Sequence, residues 1–375
     1  MIYLDSAATT LQKPPTVARA VSNAIRTLSS PGRGGHPPAA RAADLMFRCR
    51  SMAAEMFEVE SPEQVVFTSN ATHGLNIAIH SLVRPGSVVL TTGYEHNAVT
   101  RPLEFLAGTV KVASSPLFSP DALAEAFDRQ LNREVSCAVF THVSNVFGYI
   151  LPVERLATLC RERGVPFIVD ASQSAGCLPV SMREWGADFI AMPGHKGLYG
   201  PQGTGLLLCG RAGEPLLRGG TGSLSLRQDM PDFLPDRLEA GTHNVCGTAG
   251  LLEGIRYVRA RGIHAIREKE HRLCRRTAVA LARLPGVTVY ATEDPALQSG
   301  VVSFRVDGMD CEELGERLSR RGIAVRAGFH CAPYAHRSGG TLETGTVRVS
   351  FSDFNTEDDV RKFIWAVKAE MAKGV

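Results

Sequence analysis

The chain has 375 residues, 44% hydrophobic and 21% charged, with 41 basic against 38 acidic side chains and a formal net charge of +3. That length is too great for one ordinary core and predicts two domains, or a large one with a smaller one attached; the composition excludes disorder over most of the chain. The charge balance gives no support to nucleic-acid binding, which shows a clustered basic face, and no window supplies the run of about 18 apolar residues that a membrane span needs.

Met1 to Thr10 already reads as folded protein and lacks a basic-then-apolar targeting signal, which predicts a cytoplasmic protein. From about residue 65 to 210, short apolar runs alternate with helical patterns. Val65-Val66-Phe67 reads as a strand running into the turn Asn70 to Asn76. Val88 to Leu90, Cys137 to Phe140, Phe167 to Val169, Phe189 to Ala191 and Gly205 to Cys209 follow as strands, with helical stretches such as Asp121 to Arg129 and Pro152 to Arg163 between them. Unpatterned apolar strands alternating with helices predict a buried, largely parallel sheet covered on both faces.

A second section begins near residue 248. Thr248 to Leu284 reads as one long helical pattern with few breakers. Within it, the basic-rich stretch Arg267 to Arg276 also holds Glu268 and Glu270 and reads as a solvated helix face. Val287 to Tyr290, Gly300 to Val306 and Thr346 to Phe351 read as strands, Asp310 to Arg321 and Thr356 to Met371 as helices, which fits a small α+β domain. Phe354 to Asp358 carries the N-cap signal of the last helix, with acidic residues in its first turn.

Nine cysteines are scattered singly, and none forms a CxxC pair, so neither a metal site nor a disulfide framework is expected. Each is by default a reduced, buried, small hydrophobe. The chemistry concentrates in Met192 to Gly205, where Lys196 sits in a glycine-crowded turn just after a strand. Glycines let the backbone approach a ligand closely, and a lysine partly desolvated there has a lowered pKa suited to a Schiff base. A loop lysine is ordinarily just solvent-exposed, but its upstream partners overturn that reading. Asp170 ends a buried strand, where a carboxylate is costly unless it meets a cation; taken alone it would also serve as a helix N-cap. Asn70 to Gly74 forms a strand-to-helix turn, an anion cradle of a kind that any such turn supplies. His96 follows another strand, where a histidine can lie on a planar cofactor or relay protons, or be an ordinary surface or core residue.

In order, the chain has the turn Asn70 to Gly74, His96, an Asn in Ser144-Asn145, Asp170-x-x-Gln173, then Gly194-His195-Lys196. This resembles the class V aminotransferase superfamily of pyridoxal 5'-phosphate (PLP) enzymes, from Tyr3 to Thr10 at one end to Phe354 to Thr356 at the other. Val325 to Pro333 resembles the Arg-x-Gly-x-His-Cys-Ala stretch of its cysteine desulfurase and selenocysteine lyase branch. The resemblance implies an α/β fold of PLP fold type I: a large domain over 16–247 with a mostly parallel, seven-stranded-type sheet, and a smaller α+β domain from 1–15 and 248–375. It implies that Lys196 carries PLP as an internal aldimine, that Asp170 pairs with the ring nitrogen, Gln173 with the ring hydroxyl, and that His96 stacks on the ring. Ala71, Thr72 and His195 would hold the phosphate, Asn145 would lie beside cofactor or substrate, and Arg348 would clamp the substrate carboxylate. Arg326 would shape the cysteine loop, and Cys331 would take the sulfur. Glu239 to Thr242 resembles a segment that reaches the neighbouring subunit, with Thr242 on that subunit's phosphate, which implies a homodimer.

The implied activity converts L-cysteine to L-alanine with a persulfide on Cys331, to be passed to an acceptor protein. The rivals are a selenocysteine lyase, an aminotransferase or epimerase using the same lysine, and a sulfur-relay scaffold that has lost PLP chemistry. The intact Asp170, Gln173, His195 and Lys196 argue against the scaffold. Two positions depart from the better-known relatives: Pro193 stands where they have Ser, and Gly197 is an extra residue after the lysine. Both mark a separate subfamily.

Overall fold

The structure, a computed structural model, describes residues 1–32 and 34–372. The strands are β1 (Ile2–Tyr3), β2 (Val65–Thr68), β3 (Val88–Thr92), β4 (Thr109–Ala113), β5 (Val135–Thr141), β6 (Phe167–Asp170), β7 (Phe189–Pro193), β8 (Gly205–Cys209), β9 (Val287–Tyr290), β10 (Val301–Val306), β11 (Ile323–Ala324), β12 (Arg326–Gly328) and β13 (Thr346–Ser350). The helices are α1 (Pro15–Thr27), α2 (Pro37–Met56), α3 (Ala71–Leu82), α4 (Asn97–Leu106), α5 (Pro120–Gln130), α6 (Val153–Arg163), α7 (Met182–Trp185), α8 (Val245–Arg261), α9 (Ile263–Ala282), α10 (Cys311–Arg320), α11 (Pro333–Ser338) and α12 (Glu357–Met371).

Seven strands form one sheet in the order β2-β8-β7-β6-β5-β3-β4. It is parallel from β7 to β4, and β8 runs antiparallel to both β7 and β2. Side chains alternate between two apolar layers, as the strand period demands. Ala138, Phe140, Phe167 and Val169 pack with α2, α5, α6 and α8, whereas Cys137, Val139 and Ile168 pack with α3 and α4. Phe140 stacks on Phe167 with centroids 5.5 Å apart, and Phe127 meets Phe140 edge-on at 5.8 Å. Burying one such ring contributes about 1.5–3 kcal/mol.

The second sheet, β12-β13-β10-β9, is antiparallel throughout, and β1 pairs with β11 in parallel. Val302, Phe304, Val347 and Val349 pack under α9, α10 and α12. Ser303 and Arg348, one residue out of that register, point the other way. Ser303 Oγ donates to the Val146 carbonyl at 2.6 Å and Arg348 Nη1 to the Asn145 carbonyl at 2.9 Å. The sheet thus has an apolar face under its helices and a polar face toward the larger sheet's loops.

The segment 248–284, expected as one helical pattern, is two helices. Gly262 separates α8 from α9 at φ 84°, a backbone region that side chains disfavour. The break sends Leu251, Leu252 and Ile255 into the large core and Leu273, Cys274 and Leu281 into the small one. The final helix opens with the expected cap: Thr356 Oγ1 accepts from the Asp359 N–H, and Asp359 Oδ2 accepts from the Thr356 N–H. Among the described residues no helix is long and apolar enough to cross a membrane.

Candidate active site

A cavity of about 200 Å³ opens at the C-terminal ends of β5, β6 and β7, where doubly wound sheets place ligands. Asp170, Lys196, His96 and Asn145 line it, as do Ala71, Thr72, Gln173 and His195. The other expected residues lie outside that wall. Arg348 and the Cys331 loop are tied to it through Asn145 and Asn97, Arg326 is exposed, and Thr242 stands apart.

Lys196 sits on the connection between the antiparallel neighbours β7 and β8, closed by Gly194 N–H to Thr204 O at 2.8 Å and Gly200 N–H to Gly194 O at 2.7 Å. A Cβ on Gly197 would stand 2.4 Å from the Ala175 carbonyl, and one on Gly176 would stand 2.1 Å from the Gly197 carbonyl. The turn after Asp170 and the turn after Lys196 therefore touch backbone to backbone. That contact is the physical reason for Gly197. Burial pushes the Lys196 amine down to about 8, against the opposing pull of Asp170. Asp170 is 2% exposed, and its Oδ1 accepts from the Ser172 N–H at 2.9 Å.

At the opposite end, Asn70 caps α3 by accepting from the His73 N–H at 2.9 Å. The N–H groups of Ala71 and Thr72 belong to the first turn, which has no intrahelical acceptors, so they face the cavity as an anion cradle. Pro193, which has no N–H to offer an anion, completes this part of the wall.

His96 caps α4, with Nδ1 accepting from the Ala98 N–H at 3.0 Å, which leaves the ring proton on Nε2. Burial, opposed by Asp170, pushes its pKa down to about 4, so the ring is neutral. His195 meets Thr9 Oγ1 through Nδ1 at 3.0 Å and is also pushed down to about 4, by burial and then by Lys196 and Lys13. Gln173 Nε2 donates to the Ala7 carbonyl at 3.0 Å.

Asn145 is the hinge of the site. Its Nδ2 donates to the His330 carbonyl at 2.8 Å, its own carbonyl receives Arg348, and its Oδ1 is buried without a partner. Arg348 is almost fully buried, its Nη2 lying 2.7 Å from Asp5 Oδ1; its Nε has no partner. Arg326 Nη1 lies 3.8 Å from the other Asp5 oxygen. Of the nine cysteines, Cys331 is the exposed one. Its loop holds three positive φ angles, Gly328 at 99°, His330 at 52° and Cys331 at 54°, and is pinned by the Asn97 N–H on the Cys331 carbonyl at 2.7 Å. Burial holds His330 well below its ordinary pKa, so it gives the thiol no full positive charge.

Thr242 is exposed beyond a root formed by Glu239, which is buried, grips Arg50 at 2.7 and 2.5 Å and accepts from the Phe67 N–H at 2.6 Å. It lines a separate cavity of about 280 Å³ with His73.

Three groups around the cavity have no local signature in the sequence. Asp5 was visible only as part of a resemblance. Lys13, pushed down to about 8 by burial, donates to the His195 carbonyl at 2.9 Å. Glu95 lies fully buried beside His96 in the sequence, and nothing in its local pattern distinguishes it from a surface acid.

The family model for aminotransferase class-V matches residues 2–363. The chain belongs to this family. It is 33% identical to a probable cysteine desulfurase of Mycolicibacterium paratuberculosis, covering 98% of this chain and 55% of that protein. It is also 33% identical to one of Methanothermobacter thermautotrophicus, covering 96% and 92%. The apo cysteine desulfurase of Thermococcus onnurineus superposes with a TM-score of 0.90 at 32% identity, over 100% of this chain and 95% of that one. The Escherichia coli cysteine desulfurase CsdA does so at 0.86 and 27%, with the same coverage. The α/β fold with its mostly parallel sheet is the one these structures share. Enzymes of the family use pyridoxal phosphate. The cavity suits that group, with an anion cradle at one end, a buried carboxylate and a lysine of lowered pKa within it, and an unpartnered acceptor on Asn145.

Proposed function

We propose that the protein is a pyridoxal-phosphate-dependent cysteine desulfurase, converting L-cysteine to L-alanine and retaining the sulfur as a persulfide on Cys331. One observation carries the reading: the exposed Cys331 sits on a loop pinned, through Asn97 and Asn145, to the same cavity wall that holds Lys196 and Asp170. Ala71, Thr72 and His195 would hold the phosphate, with Asp170 for the ring nitrogen, Gln173 for the ring hydroxyl and His96 against the ring. When bound, pyridoxal phosphate supplies an electron-withdrawing ring that accepts the electrons left at the substrate Cα.

Lys196, with a pKa of about 8, is partly neutral near pH 7 and so takes the Cα proton and later returns one. Arg348 holds the substrate carboxylate, and Asp5 keeps its guanidinium oriented. The Cys331 thiolate attacks the substrate sulfur. An S–S bond forms, the C–S bond breaks, its electrons stay with the substrate carbon, and protonation there gives alanine. Of the nearby residues Arg326, rather than the neutral His330, supplies positive charge for that thiolate. Thr242, exposed at the end of a rooted segment, reaches a second copy, so the enzyme works as a homodimer; the persulfide passes from it to an acceptor protein.

The test follows sulfide and alanine together from purified protein, PLP, L-cysteine and a thiol reductant, beside Cys331→Ala. Equal yields of both products, reduced at least about a hundredfold in the variant, are expected, because no other exposed cysteine substitutes. Undiminished products from Cys331→Ala would mean a lyase that does not need the thiol, with selenocysteine the substrate to try next. No sulfide from either form would return the chain to the other reactions of its family.

A further inference from the structure

The far side of the small sheet carries a groove that the chemistry above does not use. It lies between α9 and α12 and has a volume of about 710 Å³. Its floor is apolar, formed by Val279, Ala280, Val360, Ile364 and Trp365. Its rim is cationic, formed by Arg272, Arg275, Arg276, Arg283, Arg361 and Lys368, and among the described residues no acidic side chain is part of its lining. The residues recur at helical spacing on both walls, 272, 276, 279 and 283 on one and 361, 364, 365 and 368 on the other. Trp365 is 65% exposed and Val279 41%, which is unusual for apolar side chains so close together.

Glu357 and Asp358, outside the lining, pair with three of the rim cations, Arg272, Arg276 and Arg361, at 3.4, 3.0 and 2.9 Å. Arg275, Arg283 and Lys368 have no ion-pair partner among the described residues. The walls belong to helices that cover the sheet face opposite Arg348. An occupant would therefore leave Arg348 and the cavity beyond it untouched.

We propose that this groove docks an acidic amphipathic helix of a partner protein. An apolar trough between two helices accepts a third helix, whose i, i+3, i+4 and i+7 side chains fill the floor. The unpaired cations on both sides call for Asp and Glu flanking that stripe. Nucleic acid fits less well. The floor offers a phosphate no partner, and the Arg321 guanidinium already covers one face of the Trp365 ring, the largest aromatic surface in the lining, at 5.3 Å.

The chain has two tryptophans, and Trp185 is buried, so Trp365 reports on the groove directly. The test titrates the full-length protein with a synthetic amphipathic helix of about 18 residues, with Leu on one stripe and Glu elsewhere. It also uses a scrambled peptide of the same composition and a single-stranded oligonucleotide. A blue-shifted Trp365 emission that saturates with the helix, and weakens at least about tenfold on raising salt from about 0.05 to 0.5 M, is expected. The double variant Arg275→Glu/Arg283→Glu should weaken binding at least about tenfold, while Arg129→Glu on α5 changes nothing. Because the cavity lies elsewhere, cysteine turnover by the double variant should stay within about twofold of the unaltered protein. Equal binding of the scrambled peptide, tighter binding of the oligonucleotide, or no binding at all would overturn the proposal. So would a change of mass in the double variant by light scattering, since that would make the groove a contact between copies of this chain.

Discussion

Glu95 shows what a single residue does when the fold removes it from water. Its Oε1 accepts from the Thr92 hydroxyl at 2.5 Å and the Thr141 N–H at 3.1 Å, and its Oε2 is buried without a partner. Burial pushes its pKa up to about 8, with Thr92 and Thr141 opposing and Asp170 adding to the rise. At neutral pH it is therefore an uncharged acid, and one negative charge rather than two sits behind the cavity. Glu95→Gln should leave the pH profile of alanine formation unmoved between pH 6 and 7.5, to within about twofold in rate. The stability difference has a definite sign. The folded chain holds this proton up to about pH 8 and the unfolded chain releases it near 4.5, so the acid weakens the fold increasingly as pH rises between those values. Urea midpoints should thus favour the glutamine variant more at pH 8 than at pH 5, and an equal difference at both would mean that Glu95 is already ionised in the fold. Lys196 and Asp170 were legible in the sequence because a glycine-set lysine and a strand-end carboxylate are local patterns. Glu95, Lys13 and Asp5 were not, because their roles arise from neighbours 46, 182 and 343 positions away.

At the scale of elements, most strands of both sheets could be read from apolar runs, and β4 could not. It is an edge strand, only its last residue is buried, and Lys111 sits at its centre. The Gly262 break was hidden because one glycine in a long helical pattern is ordinarily tolerated. What decides it is tertiary, namely two cores that α8 and α9 serve separately. That division supports a domain boundary at Gly262, fifteen residues beyond the one read from the sequence, with α8 on the large side. Gly197 is the converse case, a glycine visible in the sequence as an insertion whose purpose lies in the Ala175–Gly176 turn it touches. A methyl group there forces the Lys196 and Asp170 turns apart, a strain of about 1–3 kcal/mol. Gly197→Ala should therefore retain pyridoxal phosphate about tenfold less well after dialysis, read as lost absorbance near roughly 420 nm, while the far-ultraviolet spectrum is kept. Full retention would show that the two turns can separate without moving the lysine.

Across the whole molecule, buried histidines dominate the response to acid. His96, His195 and His336 are pushed down to about 4 and His142 to about 3, each mainly by burial, and His330 is held well below its ordinary value. In the unfolded chain each titrates near 6.5, so between pH 6.5 and about 4 the unfolded state binds protons that the fold refuses. Stability from these groups is fully present above 6.5 and falls as pH drops. Glu95 and Glu270, both raised to about 8 chiefly by burial, act in the opposite sense over the same range, because the fold holds protons that the unfolded chain releases above 4.5. These five histidines against two carboxyls leave an imbalance of up to three protons, to which His73 and His271, also lowered chiefly by burial, add. Each is worth about 1.4 kcal/mol per pH unit, a ceiling that solvent screening lowers for the half-buried His96 and His195. Against a total stability on the order of 5–15 kcal/mol, even half that slope is large. The urea midpoint of the apoprotein should therefore fall by about a third or more between pH 6.5 and pH 5. His142→Asn should flatten that fall, since the ring packs edge-on against Trp185 at 5.0 Å and its Nδ1 has no partner, so no hydrogen bond through that atom is lost with it. A midpoint that stays level from pH 6.5 to 5 would mean that the histidines take up protons without unfolding the chain, and that the core around them opens to water.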